Sequence, residues 1–395
     1  MRHSISIFTV KPNRKLRMGM IGGGQGAFIG SVHRMAATLD GSIELVCGAF
    51  SSDPQRSRDS GHDWFIPPHR CYPDMHAMIS GEAQLPPEQR MDFVTIVTPN
   101  HLHYPAARLA LEAGFDVVCD KPLTSTLADA QALVRLVEET GRLFMLTHNY
   151  TGYPMIREAR ARIRSGALGA LRGILVEYPQ GWLATALEQQ GQKQAAWRTD
   201  PAQAGLCGCM GDIGTHAENL AEFVTGLPIQ SLCADLATFI PGRRLDDYGS
   251  VLLHFHGGAR GVLTASQVFP GEENALRLRV YGVSGGLDWS QQEPNTLTLL
   301  HPDRPREILR AGGSGLHEST RQSLRLPAGH PEGFIEAFAN LYRDYASAWW
   351  ARHAGLPPPP SAADLPTAHH GLRGIAFLQA VVESSQTRQW INLPV

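Results

Sequence analysis

Residues 17–31 read RMGMIGGGQGAFIGS, and the fold turns on how this stretch is interpreted. A short apolar run (Met18, Met20, Ile21) meets glycines at Gly22, Gly23, Gly24 and Gly26, and a helical pattern follows. A strand, tight turn and helix start in this order suit a dinucleotide, whose pyrophosphate sits against backbone N–H groups at a helix N-terminus. A Cβ in the turn would block the close approach of the phosphates. Gly22, Gly24, Gln25, Gly26, Ala27 and Phe28 are therefore expected at the cofactor. Taken alone, the cluster also fits a glycine-rich surface hairpin. The flanking chain has to choose between the two.

Working outward, residues 29–37 continue as a helix and residues 43–50 (IELVCGAF) read as a second, buried strand. Asp53-Pro54 starts another helix, with Asp53 as N-cap and Pro54 at the first helical position. A short strand near Cys71 and a helix from Asp74 come next, then a polar loop over 81–90. Strands over 92–97, 116–119 and 143–147 alternate with helices over 103–113 and 127–140. Six strands interleaved with helices over about 130 residues predict a doubly wound parallel sheet. That context selects the nucleotide reading.

Ligands of such sheets bind just beyond the carboxyl ends of the strands. Thr98, Pro99 and Asn100 lie there, with His103 behind them, as do Asp120-Lys121-Pro122 and His148-Asn149-Tyr150. A lysine directly after an apolar strand needs an anionic or transiently charged partner, because a buried ammonium is costly. The second strand ends in Phe50-Ser51-Ser52, with Arg56 beyond it, where an acidic residue would bind the adenosine ribose. Hydroxyls and a guanidinium suit a 2′-phosphate, so the cofactor is expected to be NAD(P)(H) with a slight lean to NADP. In the alternative, the serines only shape the turn and Arg56 is solvated.

The chain has 395 residues, more than one ordinary core, which argues for two domains. A hydrophobic content of 43% and a charged content of 18% are those of a globular protein. A net charge of −2 gives no electrostatic reason to expect nucleic acid or a membrane as partner. The six cysteines are scattered, which suits reduced thiols in the cytoplasm. Cys207-x-Cys209 lacks the second ligand pair of a zinc site, so no metal is expected. No apolar run reaches the length of a membrane span, and the opening residues are too polar for a secretory signal. The expected organisation is a flexible arm over 1–16, a dinucleotide-binding domain over 17–148, and a substrate-binding and oligomerisation domain over 149–395.

Three motifs in order, GGGQGAFIG, TPNHLHYPAARLALEAGFDVVCDKP and GDIGTHAENL, resemble the Gfo/Idh/MocA oxidoreductases (glucose–fructose oxidoreductase, inositol 2-dehydrogenase, rhizopine catabolism). The resemblance extends over nearly the whole chain, and its middle motif is highly specific. It implies an α/β protein: an N-terminal Rossmann sheet, then a C-terminal α+β domain with a large, mostly antiparallel open sheet. Lys121, Asp212 and His216 match the family's catalytic positions. Asp120 departs from the pattern, since the family usually has glutamate before the lysine-proline pair.

Short β-rich segments at 171–178, 231–239, 250–256, 261–266 and 276–281 fit that second sheet, with Gly257-Gly258 as a hairpin turn. Open sheets of this kind pair face to face, so a homo-oligomer, dimer or tetramer, is expected through the C-terminal sheet. A helix starting near Gly211 places Asp212 and His216 at i and i+4 on one face. The competing roles are a helix N-cap for Asp212 and a satisfied core histidine for His216. Asn149, Tyr150, Tyr178, Trp197 and Arg198 are expected to line the substrate, with Tyr153, Glu177, Gln180 and Trp182 as further candidates. Arg198 points to a carboxylate or phosphate on the substrate, or else pairs with Asp200 or Asp212. Toward the end, His330 is a candidate border of the site, residues 356–365 an exposed proline-rich connection, and residues 371–384 a final helix packed across the domains.

The expected activity is hydride transfer between nicotinamide C4 and a secondary hydroxyl or ketone of a cyclic sugar, glycoside or inositol-like polyol. His216 with Asp212 and Lys121 would handle the proton. An NAD-dependent glycosidase that oxidises its substrate transiently is the alternative. A non-enzymatic sensor of sugar or nucleotide is a third reading.

Overall fold

The computed structural model describes residues 14–394. Residues 1–13 of the expected arm lie outside the described residues, and Leu16 already belongs to the first strand.

The chain opens with β1 (Leu16–Gly22), α1 (Phe28–Thr38), β2 (Ile43–Ala49), α2 (Pro54–Asp63), α3 (Met75–Gln84) and β3 (Phe93–Val97). It continues with α4 (His103–Glu112), β4 (Asp116–Cys119), α5 (Leu127–Thr140) and β5 (Phe144–Leu146). The five strands are parallel, in the order β2-β1-β3-β4-β5. All of β3 and β4 is buried, as expected of a sheet covered on both faces.

Two expectations need correction. No strand forms near Cys71, which makes only an isolated bridge to Gly48. Pro67, Pro68 and Pro73 flank it and remove the amides a ladder would need. The expected loop over 81–90 also starts late, because α3 runs on to Gln84 and buries Glu82 against Arg70 at 2.6 Å. The Asp53 and Asp74 side chains cap α2 and α3 by accepting from the N–H groups of Arg56 and Ala77.

Next come α6 (Pro154–Arg164), β6 (Leu171–Pro179), α7 (Lys193–Arg198) and α8 (Pro201–Ala204). A single π turn (Met210–Gly214) leads into α9 (Thr215–Thr225). Seven strands follow: β7 (Ile229–Ala237), β8 (Tyr248–Phe255), β9 (Arg260–Ser266), β10 (Arg277–Gly282), β11 (Gly286–Ser290), β12 (Thr296–Leu300) and β13 (Glu307–Arg310). The chain closes with α10 (Glu318–Gln322), α11 (Phe334–His353), α12 (Ala368–Thr387) and β14 (Ile391–Asn392). The nine-stranded sheet has the order β13-β12-β11-β10-β6-β9-β8-β7-β14 and is antiparallel except for the β6–β9 pair. Gly257 and Gly258, both at positive φ, turn β8 into β9.

Two compact units divide the chain. The first runs to Thr124 and takes in Ala128–Asn149 and Phe334–Gly371; the second comprises Ser125–Leu127, Tyr150–Gly333 and the chain from Leu372 onward. The boundary near 149 is thus one of several crossings, and another falls inside α12. In the first unit α11 packs its buried Phe338, Leu341, Tyr342 and Tyr345 into the same core as Val32 and Ala36 of α1. Each large apolar side chain so buried stabilises the fold by about 1.5–3 kcal/mol.

Candidate functional site

In the first unit the glycine turn is a cradle made of backbone. Gly22 has φ +82°, a conformation that L side chains rarely adopt. Gly30, on α1, sits so close that a Cβ there would lie 2.1 Å from the carbonyl oxygen of Gly23. The start of α1 has no side-chain cap: Ala27 stands at the N-cap and offers no acceptor. First-turn amides without a capping side chain, beside a turn that excludes side chains, form a ready anion site. Gln25 gives its N–H to Ser60 (3.0 Å) and its side-chain amide to Asp63 (2.8 Å), so it braces the turn against α2. Phe28 is exposed at the helix start.

At the end of β2 the Ser51 hydroxyl accepts from Asp53 N–H (3.2 Å), and Asp53 caps α2. Ser52 and Arg56 are exposed. The acidic residue beyond this strand end, Asp53, is taken up by the α2 cap.

The other strand ends converge on the same edge. Asn100 is buried, and the Thr98 hydroxyl and the Asn149 side-chain NH2 are enclosed without a hydrogen-bond partner among the described residues. Buried polar atoms of this kind call for a ligand's polar groups. A nicotinamide nucleotide therefore fits the residues present. His103 is buried, its ring nitrogens 2.7 Å from the Pro122 carbonyl and 3.0 Å from that of Thr98. Burial pushes its pKa down, and a neutral ring donates to only one of the two. His103 thus ties the loops after β3 and β4 together.

Asp120 accepts from the Thr147 hydroxyl at 2.8 Å, and the buried His33 ring stands 3.8 Å from it. Burial would raise the pKa of Asp120, but His33, Lys121 and His103 overcome it and hold the carboxyl below its usual range. The shorter acid that departs from the family pattern is therefore an ionised group anchored to its own unit. Lys121, partly buried, follows it at the tip of β4. Burial, with His370 and Lys121 nearby, lowers the pKa of His148 to about 3 and keeps it neutral.

The second unit assembles a cluster around Asp212 and His216. The expected regular α-turn is replaced by the π turn, in which Thr215 N–H reaches back to the Met210 carbonyl. Met210 is wedged between Gly214 and Gly249, where Cβ atoms would come within 2.7 Å of its side chain. Single π turns are frequent at functional sites. Arg198 Nε (3.1 Å) and Gln267 Nε2 (2.9 Å) both donate to Oδ2 of Asp212. The Arg198 guanidinium lies over Trp197 (4.2 Å) and Trp182 (5.9 Å) and also donates to Gln194. Of the two partners the sequence left open for Arg198, the structure selects Asp212; Asp200 instead caps α8 and meets Arg244.

The His216 ring is buried, with Tyr150 edge-on at 4.8 Å and Tyr178 at 6.4 Å. The two phenols hydrogen-bond to each other. Asn274 is their hub: it accepts from Tyr178 (2.7 Å) and Gln180 (2.6 Å) and donates to Gln291 (3.1 Å) and Tyr150 (3.3 Å). Burial raises the pKa of both tyrosines, so they remain hydroxyl donors.

Three candidates fall elsewhere. Glu177 pairs with Arg279 at 3.3 Å, because alternation along β6 turns it away from Tyr178. Tyr153 is core, packed on Tyr150 and Trp289. His330 is exposed and leans on the Pro327 carbonyl. Conversely, Gln267, Asn274 and Gln291 were not anticipated. Their only sequence signal is a polar residue near a strand end, which many residues share.

A parallel sheet with a glycine cradle, and a second unit with a broad, mostly antiparallel sheet and an Asp/His pair set on a π turn and the helix it leads into, define the class: a nucleotide-dependent two-domain oxidoreductase. Residues 16–148 match the family model described as "Oxidoreductase family, NAD-binding Rossmann fold", and residues 156–288 match the GFO/IDH/MocA C-terminal domain. The chain belongs to the Gfo/Idh/MocA oxidoreductase family. It is 32% identical over 387 residues to the uncharacterized oxidoreductase YfiI of Bacillus subtilis, covering 96% of this chain and 97% of that protein. An oxidoreductase from Sinorhizobium meliloti superposes with a TM-score of 0.86 at 45% identity, covering 96% and 99% of the two chains. An inositol dehydrogenase homolog from Azotobacter vinelandii, complexed with NAD+, gives a TM-score of 0.91 at 35% identity, with 96% and 98% covered. An inositol dehydrogenase homolog from Azotobacter vinelandii complexed with NADH and myo-inositol gives 0.88 at 34%, with 96% and 98% covered. Among the described residues, no helix is long and apolar enough to cross a membrane, and no group of His, Cys, Asp and Glu is arranged to hold a metal.

Proposed function

We propose that the protein is an NAD(P)-dependent dehydrogenase acting on a secondary hydroxyl of a neutral cyclic polyol or sugar. One observation carries the substrate reading: Arg198 is committed to Asp212 at 3.1 Å, within a cluster of phenols and amides. Its charge is spent on the protein's own carboxylate, so it does not call for a sugar acid or phosphate. Phenol and amide groups suit an uncharged, hydroxylated ring. The relative bound to NADH and myo-inositol supports the same class.

When bound, the nicotinamide supplies the carbon that accepts or returns the hydride. Alcohol oxidation also needs a base for the hydroxyl proton. We assign that proton to the His216 imidazole, with Asp212 orienting it and balancing the imidazolium charge. Lys121 stabilises the developing alkoxide as a cation. Thr98, Pro99, Asn100, Asp120 and Asn149 are assigned to the nicotinamide end, and the glycine turn to the pyrophosphate. Ser51, Ser52 and Arg56 are assigned to the adenosine end, where they favour NADP(H) over NAD(H) modestly.

The outer face of the large sheet supports self-association. Cys233, Leu252, Val262 and Leu175 form one cross-strand row, and Leu252, Phe239, Phe269 and Trp390 are exposed. Apolar faces of this extent mark interaction surfaces.

The test is absorbance at the reduced-nicotinamide band with inositols, neutral hexoses, uronates and sugar phosphates, supplying NAD and NADP separately. Neutral polyols are expected to give the signal, and the charged analogues to give little. Silence with every polyol, together with aglycone release from glycosides and no net reduced cofactor, would replace this reading with transient-oxidation glycoside cleavage.

A further inference from the structure

The chemistry above leaves unused a carboxylate just behind the Asp212 turn. Asp246, partly buried ahead of β8, accepts from Gly208 N–H on Oδ1 and from Met210 N–H on Oδ2, both at 2.7 Å. Its main-chain carbonyl accepts the intervening Cys209 N–H at 2.9 Å. One residue thus takes three successive amides. The Gly208 carbonyl in turn accepts Asp212 N–H at 2.9 Å, and Met210 opens the π turn. The approach is tight: a Cβ on Gly208 would lie 2.4 Å from the Asp246 carbonyl oxygen.

We propose that Asp246 is a positioning residue for the proton-handling turn, gripping residues 208–210 and so setting where the segment carrying Asp212 and His216 begins. The inference rests on the role proposed above for Asp212. Arg198 and Gln267 hold the Asp212 side chain, whereas Asp246 holds the backbone beneath it. A carboxylate suits the place because each N–H bonds a different oxygen, and an amide there would turn an NH2 donor toward one of the two.

The same strap is sensitive to mild acid. Burial raises the pKa of Asp246 to about 6, against the pull of the Met210 and Gly208 amides. The other ionisable groups around it are Asp247, whose charge adds to the rise, the Cys207 and Cys209 thiols, which burial keeps protonated, and Asp212 beyond Cys209. Protonation converts one acceptor oxygen into an O–H donor and releases one amide. The grip therefore holds above about pH 6 and loosens below it.

Hydrogen exchange at the Gly208 and Met210 amides tests this in the full-length protein, between pH 8 and 5 and corrected for intrinsic rates. Wild-type protection is expected to fall about tenfold between pH 7 and pH 5. In Asp246→Asn it should be about tenfold lower already at pH 7.5 and flat below. Constant protection in the wild type overturns the proposal without any variant, as does wild-type protection in Asp246→Asn. In the same variant kcat should drop about tenfold while the dissociation constant of the reduced cofactor stays within about twofold. A wild-type kcat would leave Asp246 no positioning role. If the wild type oxidises no polyol at all, the reading of Asp212 fails, whereas the exchange result still decides whether Asp246 grips the turn.

Discussion

The nucleotide cradle of the first unit is made largely of backbone: glycines that leave room, uncapped amides, and strand ends. The Asp212–His216 cluster of the second unit is made of side chains, drawn from segments as far apart in the chain as Tyr150, Arg198, Gln267 and Gln291. A backbone site is specified by what must be absent, since one added Cβ at Gly30 would strike the Gly23 carbonyl at 2.1 Å. A side-chain site is specified by who donates to whom. Asn274 uses both lone-pair directions of its oxygen and both amide hydrogens on four neighbours. The two plans fail differently when altered, and the difference is measurable.

The largest expected effect falls on the second plan. His216→Asn and Lys121→Met should each lower kcat by about a thousandfold, with the cofactor dissociation constant changed no more than about threefold. Near-wild-type turnover in both would break the assignment. Gly30→Ala should act the other way: about a hundredfold weaker cofactor binding by fluorescence titration, from a backbone collision no side chain can absorb. Binding within a few fold of wild type would show that the cradle tolerates a methyl group. Arg198→Met should lower kcat about tenfold, because Asp212 loses a charge-assisted donor and its fixed orientation. A larger loss than in His216→Asn would mean that Arg198 meets the substrate directly. Arg56→Ala should weaken NADP about fivefold and leave NAD unchanged; equal losses for both would end the lean toward the 2′-phosphate.

The last effect concerns stability. His148 stays neutral in the folded protein down to about pH 3, whereas an unfolded histidine takes up a proton near its reference pKa of about 6.5. Between those values the unfolded state binds more protons, so this group erodes stability as pH falls. His148→Asn should therefore lose about 1 kcal/mol less than wild type per pH unit between pH 6 and 4, read by urea unfolding. An identical pH dependence would mean that His148 is protonated in the folded state.

The cradle, α5 over residues 127–140, the Gly257-Gly258 turn, the Asp53 cap and the helix start at Asp74 were all legible from local sequence. Each depends on residues within a few positions of one another. The strand expected at Cys71 failed because the prolines around it removed ladder amides, a local effect that the apolar reading overrode. Glu177 looked as available as Tyr178, and only its place in the sheet, beside Arg279, turned it away.

By itself, the amino-acid sequence determined that a strand, a glycine turn and a helix form a dinucleotide cradle, because spacing and the missing Cβ are carried intact by a short segment. Its motifs added a resemblance, which implied a second sheet and matched lysine, aspartate and histidine to the family's catalytic positions. Tertiary structure alone decided that Arg198 neutralises Asp212, that Gln267, Asn274 and Gln291 brace the cluster, that α11 returns to the first unit, and that Asp246 straps the turn. Hydrogen bonds form between groups that the fold brings within about 3 Å, and pairings across tens of residues leave no periodic trace in the chain.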